Sequence, residues 1–340
     1  MKEKIKYAGA MLICFIAVLF IRMPVMADDG VPETAWRDNA ATDFAGGSGT
    51  EADPYQITDG AQLAKIAKDV ENGTVYKDAY FRLENDIDLS AHRWNPIGVY
   101  KWYEGGATED RMFAGFLDGN GKTITGLIVD ERTEKNRAGL FGQIAYTGAA
   151  TNVGVKDLNI VDARIYATNE GMEKNSSAIL AGFVMANSGH TIRFDDISVS
   201  GTIVNTKVGD NSMMSGGLFG EANRVTADHC RADVTIEGGD NTGGFVGLDG
   251  SSTYTNCKVT GKVTGLWAIG GFVGYAWEAE SATMSTYDNC IAKVDVVANE
   301  WRAGGFAGYM QKGKSSSCAA LGDVTSSVTG FNPKVGGFAG

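Results

Sequence analysis

A five-residue motif recurs seven times along the chain. It reads AGLFG at 138–142, AGFVM at 181–185, GGLFG at 216–220 and GGFVG at 243–247 and 270–274. It closes as GGFAG at 304–308 and 336–340. Start-to-start spacings are 43, 35, 27, 27, 34 and 32 residues. A period of this size marks a stack of supersecondary units, none of which can bury its apolar face alone. The shortest spacing is the bare unit. The longer ones carry loop insertions.

A second motif lies between the copies: KDLNIVDARI (156–165), DDISVSGTIV (195–204), DHCRADVTIE (228–237), TNCKVTGKVT (255–264), DNCIAKVDVV (288–297) and SSCAALGDVT (316–325). Apolar and polar residues alternate there, which marks strands with one buried face. Propeller blades need about 40–45 residues and four strands. Units of this length hold two or three short strands, so the pattern predicts an all-β, parallel β-helix (β-solenoid). Parallel crossovers are almost always right-handed, and the expected winding follows that rule. Each coil would add about 4.8 Å.

The 46 glycines and five prolines among 340 residues fit this design. Glycine permits positive φ and close backbone approach at the corners, while the apolar residue between glycines faces the core. The structural repeat positions are Gly139, Phe141, Gly217, Phe219, Gly244, Phe245, Gly271, Phe272, Gly305 and Phe306. Met185 replaces the final glycine of its motif, which predicts an irregular coil there.

Cys230, Cys257, Cys290 and Cys318 all fall in one slot of the second motif, where earlier copies carry Leu158 and Ile197. They read as a core ladder of small hydrophobes. No CxxC pair supports zinc. Parallel side chains in an in-register ladder suit disulfide geometry badly.

Residues 1–27 have the layout of a secretory signal peptide. Lys2, Lys4 and Lys6 precede an apolar run from Ala8 to Ile21, and Val25-Met26-Ala27 supplies the small −3 and −1 residues. The run is too short to span a bilayer. The whole chain has 30 Lys+Arg and 41 Asp+Glu. Cleavage removes four basic residues and one acidic, leaving 26 against 40, net −14. An exported acidic chain with no membrane span argues against nucleic-acid binding. Its three histidines, His92, His190 and His229, form no HExxH pair, so no metal and no cofactor are expected.

Residues 28–43 read as a flexible leader and 44–130 as a cap with the first coils. Residues 131–340 read as the repeat solenoid, ending inside a copy as if the chain continued. Thr58 to Gly73 predicts an N-terminal capping helix: Asp59 and Gln62 form a capping box, and Leu63, Ile66, Ala67 and Val70 form one apolar face. FRLENDIDL (81–89) and FAGFLDGNGKTITGLIVD (113–130) follow as strands and turns.

The ordered blocks GSGTEADPYQITDGAQL, YFRLENDIDL, WNPIG, FAGFLDGNGKTITGL and AGLFG span 47–142. With them the chain resembles bacterial secreted or cell-surface proteins of the GLUG-motif group over roughly 44–340. That motif also occurs in the N-terminal region of IgA-specific metallopeptidases. The resemblance implies a surface or secreted, extracellular role. The peptidases' zinc ligands have no counterpart here, so no catalytic role carries over.

Parallel β-helices that cleave polysaccharides need converging carboxylates. Asp86, Asp88 and Asp118 are the best candidates, and they read as solvated strand and turn residues. Trp267 and Trp301 each lie three residues before a GG pair, and Tyr275 and Tyr309 directly follow the motif. In adjacent coils they would form two exposed rows suited to sugar faces or protein partners. The expectation is a non-enzymatic adhesin or stalk that binds host or matrix protein or glycan. The alternatives are the non-catalytic N-terminal region of a secreted zinc metallopeptidase and, more weakly, a carbohydrate-active β-helix enzyme.

Overall fold

The structure, a computed structural model, describes residues 30–102, 108–133, 136–145, 152–168, 174–206, 212–277, 283–327 and 334–340. The signal-peptide segment lies outside them. The described strands and helices all belong to the unit Val31–Gly340.

The described residues are nearly all β and solenoid-like, with parallel sheets that every repeat feeds in turn. The largest sheet takes the long alternating strands, beginning with Gly154–Thr168, Ile192–Thr206 and Arg231–Glu237. A second sheet stacks Lys174–Ala178, Ser212–Gly216, Asn241–Gly243, Ala268–Gly270, Arg302–Gly304 and Lys334–Gly336. A third stacks Phe141–Ala145, Ala181–Met185, Phe219–Asn223, Val246–Gly250, Val273–Ala276 and Ala307–Met310. The hairpin Val99–Trp102 with Thr108–Arg111 is antiparallel.

Identical positions stack because strand spacing sets the step between coils. Phe245, Phe272, Phe306 and Phe338 form one ring column, with successive centroids 4.6, 4.9 and 4.8 Å apart and planes within 8°. Tyr254 and Tyr287 start a second, stacked at 5.3 Å, and the two columns meet edge to face. The edge of one ring is positive and the face of the other negative, so this contact adds to burial.

The motif glycines exist for close approach. A Cβ on Gly244 would sit 2.3 Å from the Gly271 carbonyl oxygen, and one on Gly271 only 2.1 Å from that of Gly305. Positive φ, the other reason anticipated for them, is absent at Gly217, Gly244, Gly271 and Gly305.

One copy is out of register with its sequence match. Ala181, not Val184, pairs with both Phe141 and Phe219. The structural repeat is therefore Ala178-Ile179-Leu180-Ala181-Gly182, and Gly182 supplies the final glycine. The irregular coil expected from Met185 is a misalignment by three residues. Phe183 is buried beneath the Arg137 guanidinium, which lies 3.7 Å from its ring centre, and is not part of the core cluster.

The corner before the cysteine slot has its own rule. Asp157, Asp196, His229, Asn256, Asn289 and Ser317 all adopt left-handed φ of 51–56°. Short polar side chains tolerate that conformation best. The Asn256 amide donates to Asp228 (3.0 Å) and the Asn289 amide to Asn256 (2.7 Å), knitting adjacent coils. The four cysteines among the described residues are free. Cys230, Cys257 and Cys290 are buried, and Cys318 is half-buried.

At the N-terminal end the helix spans Gly60–Glu71. Asp59 accepts from the Gln62 N–H, and the Gln62 side chain accepts from the Thr58 N–H. Leu63, Ile66, Ala67 and Val70 are buried. The chain before it, read from sequence as a flexible leader over 28–43, is held against the cap at Ala35, Trp36 and Arg37. Ala35 is buried, the Trp36 indole donates to the Leu89 carbonyl (2.9 Å), and Arg37 pairs with Glu71 (3.0 Å).

Candidate functional site

The two aromatic rows expected from sequence meet in one cluster. Tyr275 and Tyr309 are cross-strand partners in the third sheet, stacked at 4.9 Å with planes 19° apart. Trp267 and Trp301 precede adjacent strands of the second sheet and touch edge to face at 5.4 Å. Trp267 also meets Tyr275 (5.8 Å) and Tyr309 (6.0 Å). Trp301 is 37% exposed and the other three are half-buried. The sequence placed the rings in adjacent coils; the fold joins them because the chain turns at 271–272 and brings Tyr275 of the third sheet back against Trp267, which precedes the second-sheet strand Ala268–Gly270.

Arg302 was not singled out from sequence. Its guanidinium lies 3.7 Å from the Tyr309 ring centre, 4.4 Å from Trp301 and 5.2 Å from Trp267. It is 8% exposed, and among the described residues its Nε and Nη1 have no hydrogen-bond partner. The π faces supply its counterpart. The signal was present as Trp301-Arg302 ahead of the glycine pair. Arg137 repeats the arrangement over Tyr100 and Phe183. Burial, and then the neighbouring Tyr309, raise the Tyr275 phenol above its ordinary pKa. The Tyr275 hydroxyl donates to Gln311 (2.6 Å). The result is a face of phenol and indole rings gathered around a buried cation.

The three carboxylates weighed for hydrolysis are engaged locally. Asp86 accepts from the Thr123 N–H (2.8 Å), and Asp88 from the Ser90 N–H (2.8 Å), which lowers its pKa. Asp118 accepts from the Asn120 N–H (2.8 Å) and pairs with Lys156 (3.3 Å). These are turn caps. Among the described residues no group of three or more His, Cys, Asp or Glu is placed to hold a metal ion. None of the helices among the described residues is long and apolar enough to cross a membrane.

A buried carboxylate went unnoticed in the sequence. Asp249 is fully enclosed and accepts from the hydroxyls of Tyr254 (2.9 Å) and Tyr287 (2.6 Å). Burial drives its pKa up, against the pull of those hydrogen bonds. It sits inside the core, so its role is structural.

No protein-family model matches the chain. Over 191 residues (55% of the chain) it is 29% identical to halomucin of Haloquadratum walsbyi, of which this is 2% of the length. Over 150 residues (42% of the chain) it is 31% identical to an Evansella cellulosilytica protein assigned as a Gly-rich membrane protein, covering 15% of that protein. The chain thus spans a small part of both relatives. Among solved structures, the fold matches a Bacteroides ovatus protein assigned as an immunoglobulin A1 protease. The TM-score is 0.55 and the identity 16%, over 87% of this chain and 86% of that one. At that identity the likeness is one of fold.

Proposed function

We propose that this chain is the repeat region of a secreted or cell-surface protein, a closed, right-handed β-solenoid of the GLUG-motif kind that binds host or matrix protein or glycan. Right-handed winding rests on the handedness of parallel crossovers. Export rests on the N-terminal segment and accords with the relatives' names, a halomucin and a membrane protein. The observation that carries the binding role is the aromatic face. Four rings with a buried arginine among them lie on adjacent coils, with Trp301 open to solvent. Rigid rings of this kind give large contact area at small entropic cost.

Trp301→Ala combined with Tyr309→Ala is expected to weaken binding on matrix-protein and glycan arrays by about tenfold or more. Unchanged binding by a variant with an unaltered thermal melt would overturn the role.

The second reading, the non-catalytic region of a zinc metallopeptidase, is favoured by the fold likeness to the Bacteroides ovatus protein. An HExxH segment in the reading frame beyond codon 340 would support it.

A further inference from the structure

We infer that a second site, a cleft of about 520 Å³ across the N-terminal coils, binds a neutral oligosaccharide. The size is that of an ordinary small-molecule site. It lies on the largest sheet, among residues that the aromatic face does not use, and stands independently of that face.

Its floor is aromatic. Tyr80 and Phe116 are direct cross-strand partners, both half-buried, with ring centres 5.7 Å apart. The same register continues through Gly154 to Arg193. Gly154 lets the Arg193 backbone approach closely, since a Cβ there would sit 2.2 Å from the Arg193 carbonyl oxygen, so Phe116 and Arg193 line the cleft two coils apart with no side chain between them. The Asn152 amide donates to the Tyr80 hydroxyl and holds that ring's edge.

Its side wall alternates in charge. Arg82, Asp118, Lys156 and Asp195 occupy one cross-strand column on four successive coils. Lys156 pairs with Asp118 at 3.3 Å, and Arg193 with Asp195 at 3.1 Å. With Glu51 at the rim, the lining carries three cations and three carboxylates. A phosphate, an acidic sugar or a basic peptide would meet as much repulsion as attraction. A neutral ligand with an apolar face and many hydroxyls meets neither. Its C–H face lies on the rings, and its hydroxyls find donors and acceptors alternating at about 4.8 Å. A sugar chain without charge has that chemistry, running from coil to coil.

The test is calorimetric titration of the full chain with neutral gluco-, manno- and galacto-oligosaccharides, after an array of the same sugars selects the best of them. Polygalacturonate and hyaluronan serve as acidic comparators. Phe116→Ala is expected to weaken binding of the neutral chain by about tenfold. Leu321→Ala, on a 61% exposed side chain that belongs to neither this cleft nor the aromatic face, is expected to leave it unchanged. Affinity should hold steady as salt rises, because no net charge is neutralised. Arg193→Ala, on a 65% exposed side chain that a fold does not depend on, is the second variant and should weaken binding also. The inference fails if no neutral sugar binds, if Phe116→Ala and Arg193→Ala both bind as the parent does, or if only the acidic chains bind and salt removes them.

Discussion

Asp249 shows how one residue can set a pH dependence for the whole fold. An enclosed carboxylate whose pKa is raised by burial holds its proton longer in the native state than in the unfolded chain. The stabilisation is therefore fully present below the ordinary carboxylate value of about 3.9 and is lost as pH rises through the native value. Urea midpoints should fall over that window for the parent. Asp249→Asn, which keeps the shape and removes the ionisation, should flatten the profile. A parent profile already flat there would show that the buried group stays charged at no cost. Nothing in GLDG, the local sequence, separated this aspartate from a turn residue. Its two hydroxyl partners are Tyr254, in the next strand, and Tyr287, which the register of the following coil brings to it. The left-handed corners were equally hidden, although His, Asn or Ser before each cysteine, and Asp before Leu158 and Ile197, was the available sign.

At the scale of the element, alternation was enough to find the long strands, because a half-buried strand writes its faces into every second residue. Phe81, Leu83, Ile87 and Leu89 are all buried, as FRLENDIDL implies. The helix was legible for the same reason, from a cap and an apolar stripe. The glycine motif misled once: Phe183 imitates a core ring but is buried beneath Arg137, outside the core cluster, while the matching core positions are Leu180 and Ala181. The cysteine ladder belongs to this scale too. Burial pushes the Cys257 thiol well up, and its hydrogen bond with Cys257 pushes Cys290 up to about 12. Thiolate is the reactive form. The Cys318 thiol is raised as well, by its hydrogen bond with Cys290 and by burial, so access decides the order: maleimide at neutral pH should leave the buried Cys230, Cys257 and Cys290 unlabelled in the native chain and react, slowly, at the half-buried Cys318. Prompt labelling of all four by mass spectrometry would contradict the packing.

For the molecule as a whole, each coil touches mainly its two neighbours, so damage should travel along the stack in steps. Gly271→Ala places a methyl 2.1 Å from the Gly305 carbonyl oxygen and forces those two coils apart. Hydrogen exchange should quicken in 243–250 and 302–310 while the helix Gly60–Glu71 keeps its protection. Uniform loss would mean that the chain unfolds as one cooperative body. The candidate sites mark the limit of reading at this scale. Trp267 and Trp301 could be aligned because the repeat carried both. Tyr80, Phe116 and Arg193 sit in coils too unlike one another for any motif to join them, and only the backbone pairing reveals the cleft.

The column of Phe245, Phe272, Phe306 and Phe338 repeats with almost the same spacing and tilt at each step. A gene that slips by one repeat during replication would therefore insert a unit whose ring meets a ready socket above and below. Such a molecule can change length by whole units without inventing a new interior. Selection is then free to rewrite the outward residues of each duplicate, and the recognition surface can diversify while the scaffold is inherited intact.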